Sequence, residues 1–322
     1  MAIIGKDIEQ AIEVLKGGEV IGLPTETVYG LAGNAYNSEA ITKIFTVKNR
    51  PTFDPLIVHT SSIERVREFV KEIPEQAQLL AKHFMPGPLT LLLPKKEVIS
   101  DLVTSGLETV AVRIPSHPLA LDLLQKLDFP LAAPSANPFG YISPTSAQHV
   151  DNQLGDKIKY ILDGGECKVG IESSIIGFFD DEIVVLRKGG LAIEEIEAVV
   201  GKVRIEEHSS SNPKAPGMLK SHYAPRTQLS IINYKSGGVP ISIDSSTDVG
   251  YLGLDKFNAN IPIENQLLLS PSGDLSEAAK NLFAYMRLLD ARGFDKIYTE
   301  LLPEKGLGRA INDRIKRATT QE

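Results

Sequence analysis

What the chain lacks narrows its class before any motif is read. It has one cysteine, Cys167, which excludes an internal disulfide framework and any multi-cysteine zinc site, and which fits a reducing compartment. No apolar run approaches the roughly 20 residues that span a bilayer. The start, Met1-Ala2-Ile3-Ile4-Gly5-Lys6-Asp7, carries no signal-peptide pattern, so a cytoplasmic protein without membrane attachment is expected. Positive charge is not in excess: 34 Lys and Arg against 41 Asp and Glu leave a net charge of −7. That balance argues against a chain whose main affinity is for nucleic-acid phosphates, although a local basic cleft is compatible with it. There is no long internal repeat, and no low-complexity tract beyond Ser209 to Ser211. Also missing are a GxxxxGK[ST] loop, a GxGxxG fingerprint after a strand and an HExxH helix, so any nucleotide is held without the common phosphate loops.

What is present is the composition of a globular protein, 42% apolar and 23% charged over 322 residues, enough for two domains with a substantial core. The organising stretch is Leu23-Pro24-Thr25-Glu26-Thr27-Val28-Tyr29-Gly30-Leu31, which follows the apolar run Val20 to Leu23. Its two threonines and glutamate carry hydrogen-bonding groups that an apolar core does not satisfy. Read alone, the stretch fits a ligand-facing loop and a strand-to-turn junction capping a helix equally well.

Helical spacing recurs at Asp7 to Leu15, from an N-cap at Ser38 through Val47, at Ile63 to Val70 and at Ala77 to Phe84. After the second of these comes Lys48-Asn49-Arg50-Pro51. Taken as extended, Lys48 and Arg50 point to one side and together grip a polyphosphate or carboxylate; taken as a helix end, they complement the macrodipole. In the strand Thr109 to Pro115 the period of two sets Val110, Val112 and Ile114 on one face and Thr109, Ala111 and Arg113 on the other. A further helix at His117 to Leu127 leads into Pro130 to Pro138, where Ala133, Ser135 and Asn137 share a parity if the chain stays extended; an Asn-Pro turn is the competing reading. Strands are also expected at Leu56 to His59, Leu89 to Leu93, Lys157 to Leu162, Gly170 to Gly177 and from Val184, with a helix at Ile193 to Val200. Several of these strands end in Thr, Ser, Asn, Arg or Glu, the pattern of a sheet lining one concave polar pocket.

Beyond Gly201 the tract Glu206 to Lys214 has the composition of a linker. From Thr227, short strands at Leu229 to Ile232, Val239 to Ile243, Gly250 to Leu254 and Leu267 to Leu269 precede an amphipathic helix, Leu275 to Leu289, a strand at Lys296 to Leu301 and a last helix from Leu307. Only five residues separate Asn233 from Val239, which suggests a hairpin where a doubly wound fold places a crossover helix.

The motifs PTETVYGL at Pro24 to Leu31, KNRP at Lys48 to Pro51, PLIVH at Pro55 to His59, PGPLT at Pro86 to Thr90, VAVRIP at Val110 to Pro115 and APSAN at Ala133 to Asn137 resemble those of the YrdC-like threonylcarbamoyl-AMP synthases. Together with APGM at Ala215 to Met218 and HYAP at His222 to Pro225, the resemblance is to the long form and spans nearly the whole chain. It implies an α/β fold: a twisted mixed sheet with a concave polar pocket at 1–201, a linker and lid at 202–226, and a smaller Rossmann-like domain at 227–322. It implies a nucleotidyltransferase that joins L-threonine, bicarbonate or CO2 and ATP into threonylcarbamoyl-AMP, pyrophosphate and water, for threonylcarbamoyladenosine beside the tRNA anticodon.

By the same resemblance, L-threonine meets Thr27, His59, Arg113, Ala133 and Ser173. ATP meets Lys48, Arg50, Asp54, Thr109, Ser135, Asn137, Ser143, Arg187 and Tyr223. Lys48 and Arg50 act electrostatically, with no protein nucleophile, and His59 is read as positioning threonine rather than taking its proton. Magnesium is expected on the ATP phosphates, with Glu26, Asp54 and Glu172 as candidate ligands and no evident carboxylate cage. The product is expected to pass to the tRNA threonylcarbamoyl transferase machinery, with direct tRNA binding weak or absent. Two other classes compete. An RNA-binding module would use Lys48, Arg50 and Arg113; a carbamoyl-phosphate-using relative would need acylphosphatase and zinc-finger segments, and one cysteine cannot build the latter.

Overall fold

A computed structural model describes residues 1–180, 182–206, 215–219, 221–232 and 248–320. The chain divides into two compact units, Met1–Phe139 with Ser143–Leu219, and Gly140–Ile142 with Lys220–Glu322.

In the first unit the described residues build an 11-stranded sheet. Its spatial order is Ile3–Gly5, Tyr160–Leu162, Ile21–Leu23, Gly30–Asn34, Leu131–Ala132, Ile57–His59, Thr109–Arg113, Leu89–Pro94, Ser174–Phe179, Glu182–Arg187 and Arg204–Ile205. Pairings are mixed: Ile57–His59 runs parallel to Thr109–Arg113, which is antiparallel to Leu89–Pro94. The period of two along these strands sorts side chains to opposite faces. Val58, Leu91, Val110 and Val112 enter the main core with Ile41, Ile44 and Phe45 of the helix Ser38–Lys48 and Leu80 of Glu75–Phe84. Their neighbours Ile57, Leu92 and Ala111 join Ile175, Leu186, Ala215 and Met218 in a separate cluster. The expected face assignment therefore holds over the strand Thr109–Arg113. A third cluster packs the helices Ile8–Lys16 and Pro118–Lys126 against Ile21, Leu23 and Ala32. Burying one such Leu, Ile or Val side chain is worth about 1.5–3 kcal/mol.

Local departures from the sequence reading have physical causes. Asn37, not Ser38, caps the second helix, its side chain accepting from the amides of Glu39 and Ala40. The helix at Ile63 stops at Val66, because Val70 forms a β-bridge with Lys95. The strand expected from Gly170 begins at Ser174, and the strand at Leu131 ends after Ala132.

In the second unit the described strands form a 4-stranded sheet, ordered Leu229–Ile231, Lys296–Thr299, Val249–Gly253 and Gln266–Leu268, with every pairing parallel. The helix Leu275–Asp290 buries Ala278, Ala279, Leu282, Phe283, Met286 and Leu289, the face read from its spacing. This is the smaller α/β unit expected, with its described strands all parallel. The strand expected at Val239 to Ile243, the hairpin leading to it and most of the Glu206 to Lys214 tract lie outside the described residues.

Candidate functional site

Sheet register lays three polar side chains side by side. His59 stands opposite Arg113, and Arg113 opposite Thr90, so the three share the sheet face of Ile57, Ala111 and Leu92. Thr90 Oγ1 lies 2.7 Å from Ser173 Oγ, which extends the row to a fourth strand's approach. Arg113 is buried; its Nη2 donates to Glu26 Oε1 at 2.7 Å and its Nε to the Gly87 carbonyl at 3.3 Å. Glu26 also accepts the Ser116 amide at 3.0 Å. A buried arginine held by one carboxylate on a face with small neighbours is suited to bind a second carboxylate.

The motif that supplies Glu26 forms a tight loop. Thr25 Oγ1 donates to the Val28 carbonyl at 2.6 Å and accepts the amides of Thr27 and Val28 at 3.2 and 3.3 Å. The chain then enters the strand Gly30–Asn34, antiparallel to Ile21–Leu23, so the helix-capping alternative for this stretch is excluded. Thr27 is fully buried, its hydroxyl 2.8 Å from that of Thr25. Ala133 donates its amide to the Ile57 carbonyl at 2.9 Å, and Nδ1 of His59 contacts the same carbonyl at 3.2 Å. A carbonyl only accepts, so Nδ1 carries the hydrogen and Nε2 is the accepting nitrogen of the neutral ring. Burial and the Arg113 charge lower the His59 pKa to about 3, so the ring is neutral at pH 7.

The cationic half follows the helix-end reading rather than the extended one. Lys48 is the last residue of its helix, and Asn49 turns the chain in the left-handed region at φ 52° before Arg50. A left-handed turn, not an extended run, therefore separates the two cations. Lys48 Nζ donates to the carbonyls of Ser135 and Asn137, the former at 2.6 Å. Burial, then the Arg50 charge, push its pKa well below the ordinary lysine value, while Asp54 acts in the opposite direction. Arg50 Nη2 pairs with Asp54 Oδ2 at 2.8 Å and also donates to the Pro55 carbonyl at 2.9 Å. Ser135 bridges Gly30 in the same antiparallel register that pairs Gly33 with Ala132, so Ala133 and Ser135 keep the parity expected of them although the strand itself ends at Ala132.

The APGM segment ties this half to Ser173. Gly217 donates its amide to Asp54 Oδ1 at 3.3 Å, and Arg187 Nη1 reaches the Pro216 carbonyl at 3.5 Å. Arg187 also donates through Nε and Nη2 to the carbonyl and hydroxyl of Ser173, at 3.0 and 3.1 Å. Ser143 donates to Glu172 Oε1 at 2.6 Å. Thr109 opens its strand on the Arg113 face, partly exposed. Tyr223 belongs to the second unit, where its buried ring stacks on Phe283 at 5.3 Å.

The three candidate magnesium ligands are each engaged elsewhere: Glu26 with Arg113, Asp54 with Arg50, and Glu172 with Ser143. Among the described residues no three His, Cys, Asp or Glu side chains gather as a metal site. Sequence reasoning missed Thr90 as a site residue and Glu26 as the partner of Arg113. The signal for Thr90 was its parity with Leu92 in an otherwise apolar strand; Glu26 had no signal beyond its buried context. No described helix is long and apolar enough to cross a membrane.

A mixed α/β sheet carrying a neutral histidine, a paired arginine and a lysine clamped on carbonyls defines a protein that binds small anionic substrates without a phosphate loop. The chain belongs to the Sua5/YciO/YrdC family, in the long form of threonylcarbamoyl-AMP synthases. The Sua5_yciO_yrdC family model, described as telomere recombination, matches residues 13–189, and the model of the threonylcarbamoyl-AMP synthase C-terminal domain matches 191–320. The chain is 42% identical to a threonylcarbamoyl-AMP synthase of Pyrococcus abyssi, over 97% of this chain and 94% of that one. It is 39% identical to that of Bacillus subtilis, over 97% and 92%. Its structure is similar to the crystal structure of P. abyssi Sua5 complexed with L-threonine, with TM-score 0.90 and 39% identity, covering 99% of this chain and 98% of that one. Escherichia coli YciO, at 22% identity and TM-score 0.53, shares the fold of the first unit.

Proposed function

We propose that the chain makes threonylcarbamoyl-AMP from L-threonine, bicarbonate and ATP, releasing pyrophosphate and water. The observation that carries this reading is the row His59, Arg113 and Thr90 on one sheet face, in a unit that also holds the Lys48 and Arg50 clamp. Arg113, fixed by Glu26, takes the threonine carboxylate; His59, Thr27, Ala133 and Ser173 surround the rest of the amino acid. The amine adds to the carbon of bicarbonate or CO2, forming a carbamate. A carbamate oxygen then attacks the α-phosphorus of ATP, and pyrophosphate leaves with the electron pair of the broken P–O bond.

No step requires a protein nucleophile; alignment and cationic stabilisation supply the rate. Lys48, Arg50 and Arg187 face the triphosphate, with Asp54, Thr109, Ser135, Asn137 and Ser143 completing the nucleotide contacts of the first unit. Magnesium enters as the ATP complex. His59, neutral across the physiological range, positions threonine through hydrogen bonds rather than acting as a base that cycles protons near pH 7. The product serves tRNA threonylcarbamoylation through a separate transferase, and the chain itself needs no tRNA for its chemistry.

The test is pyrophosphate release from Mg-ATP with and without L-threonine and with and without bicarbonate, L-serine serving as control. Release that requires both threonine and bicarbonate supports the reading. Release that is indifferent to threonine, or none from folded protein, sinks it.

A further inference from the structure

The last helix, Gly308–Thr319, buries two arginines and an aspartate in the second unit: Arg314 is 0%, Arg317 3% and Asp313 8% exposed. Both guanidinium groups lie over the Tyr223 ring, Arg314 at 5.4 Å and Arg317 at 4.8 Å from its centroid. Asp313 Oδ2 sits 3.0 Å from Arg314 Nη1 and 3.6 Å from Arg317 Nη1. Arg317 Nη1 also donates to the Tyr223 hydroxyl at 3.4 Å. Its other two nitrogens, Nε and Nη2, are buried and have no hydrogen-bond partner among the described residues.

A buried cation with unmet donors is costly, so such groups in folded proteins mark a ligand, a trapped ion or a site of strain. The unmet pair here is the edge on which Nε–H and one Nη2–H run parallel, the fork that grips an oxyanion through two hydrogen bonds. A phosphoryl group presents several charged oxygens to that fork, which suits it to two parallel charge-assisted hydrogen bonds. Because the edge is enclosed, an entering anion must displace part of the cover. Tyr223 sits at φ 68°, unfavourable for a residue with a side chain, which makes its backbone the readiest part to shift.

We propose that the Nε–Nη2 edge of Arg317 is an oxyanion site of the second unit that takes a phosphoryl group, supplied as free phosphate, pyrophosphate or the tail of a nucleotide. The site stands on the arrangement inside that unit and does not depend on the assignment of the first unit's residues.

The experiment follows the side-chain Nε–H resonance of Arg317 in full-length protein, assigned by its loss in Arg317→Lys. Phosphate, pyrophosphate and ATP are titrated in separate arms, in the wild type and in Arg50→Gln. The expected result is a saturable shift with at least one of these anions in both backgrounds. Binding should be about tenfold or more weaker in Arg317→Gln, the loss expected for two charge-assisted hydrogen bonds. In anion-free buffer Arg317→Met should melt close to wild type, since it removes a buried charge while Asp313 keeps its shorter pair with Arg314 at 3.0 Å, and phosphate should stabilise it less. A shift abolished by Arg50→Gln would place the anion in the other unit and overturn the proposal. So would the absence of any shift at millimolar anion, an adventitious response equal for sulfate and chloride, or a large drop in melting temperature in Arg317→Met without anion.

Discussion

At the scale of single residues, the Arg113–Glu26 pair and His59 make opposite predictions about charge. Glu26→Gln leaves a buried guanidinium without its carboxylate, and breaking such a pair costs about 3–5 kcal/mol. The variant should melt lower and show a threonine KM raised on the order of tenfold, with the ATP KM less affected, because the lost contact orients only Arg113. Steady-state kinetics with each substrate varied in turn will show whether the effect is confined to threonine. His59 works the other way. Its native pKa is about 3 and its ordinary value 6.5, so below pH 6.5 the unfolded chain takes a proton that the folded one refuses. Its contribution is therefore fully present above about pH 6.5 and is lost as pH falls toward 3. His59→Gln should show a shallower fall of melting temperature across that window, and the wild-type rate should show no His59 protonation step near neutrality.

At the scale of elements, close backbone approach does what side-chain chemistry cannot. A Cβ on Gly189 would come within 2.3–2.4 Å of backbone atoms of Glu172, Ser173 and Ser174, and backbone cannot step aside as a flexible side chain does. Gly189→Ala should push Ser173 away from Thr90 and Arg187, lowering kcat/KM for threonine at least tenfold; a variant with unchanged kinetics would show that Ser173 is not held by this contact. None of this was legible in the sequence, where Gly189 is one of two adjacent glycines after the strand from Val184. Legible instead were the amphipathic helices, whose period is set by burial, and the faces of Thr109–Arg113, set by strand alternation. The Lys48 and Arg50 motif was readable as chemistry and, through its helix-end reading, as geometry up to Lys48. Asn49 enters the left-handed region, which no periodicity announces. The parity drawn from Ala133 carries through Ser135, because pairing with the strand Gly30–Asn34 keeps one register past Ala132.

At the scale of the whole molecule, the APGM segment and the second unit separate. Ala215 and Met218 pack with Ile57 and Ala111, and Gly217 meets Asp54, all inside the first unit, whereas Tyr223 belongs to the second. A chain ending at Leu219 should therefore keep more ATP affinity than one ending at Glu206, with threonine binding similar in both. Equilibrium binding of each substrate to the two truncations decides it; equal loss of both substrates would point to general destabilisation. The row of His59, Arg113 and Thr90 carries a different kind of consequence. Because it is written in the register of three strands, its tolerance to change is a matter of counting: a substitution touches one member, but inserting or deleting one residue within a strand turns the rest of that strand over. Lineages of this fold are thus free to lengthen their loops and closed to length change in these strands, and a library of single-residue insertions should show dead zones that coincide with Ile57–His59, Leu89–Pro94 and Thr109–Arg113.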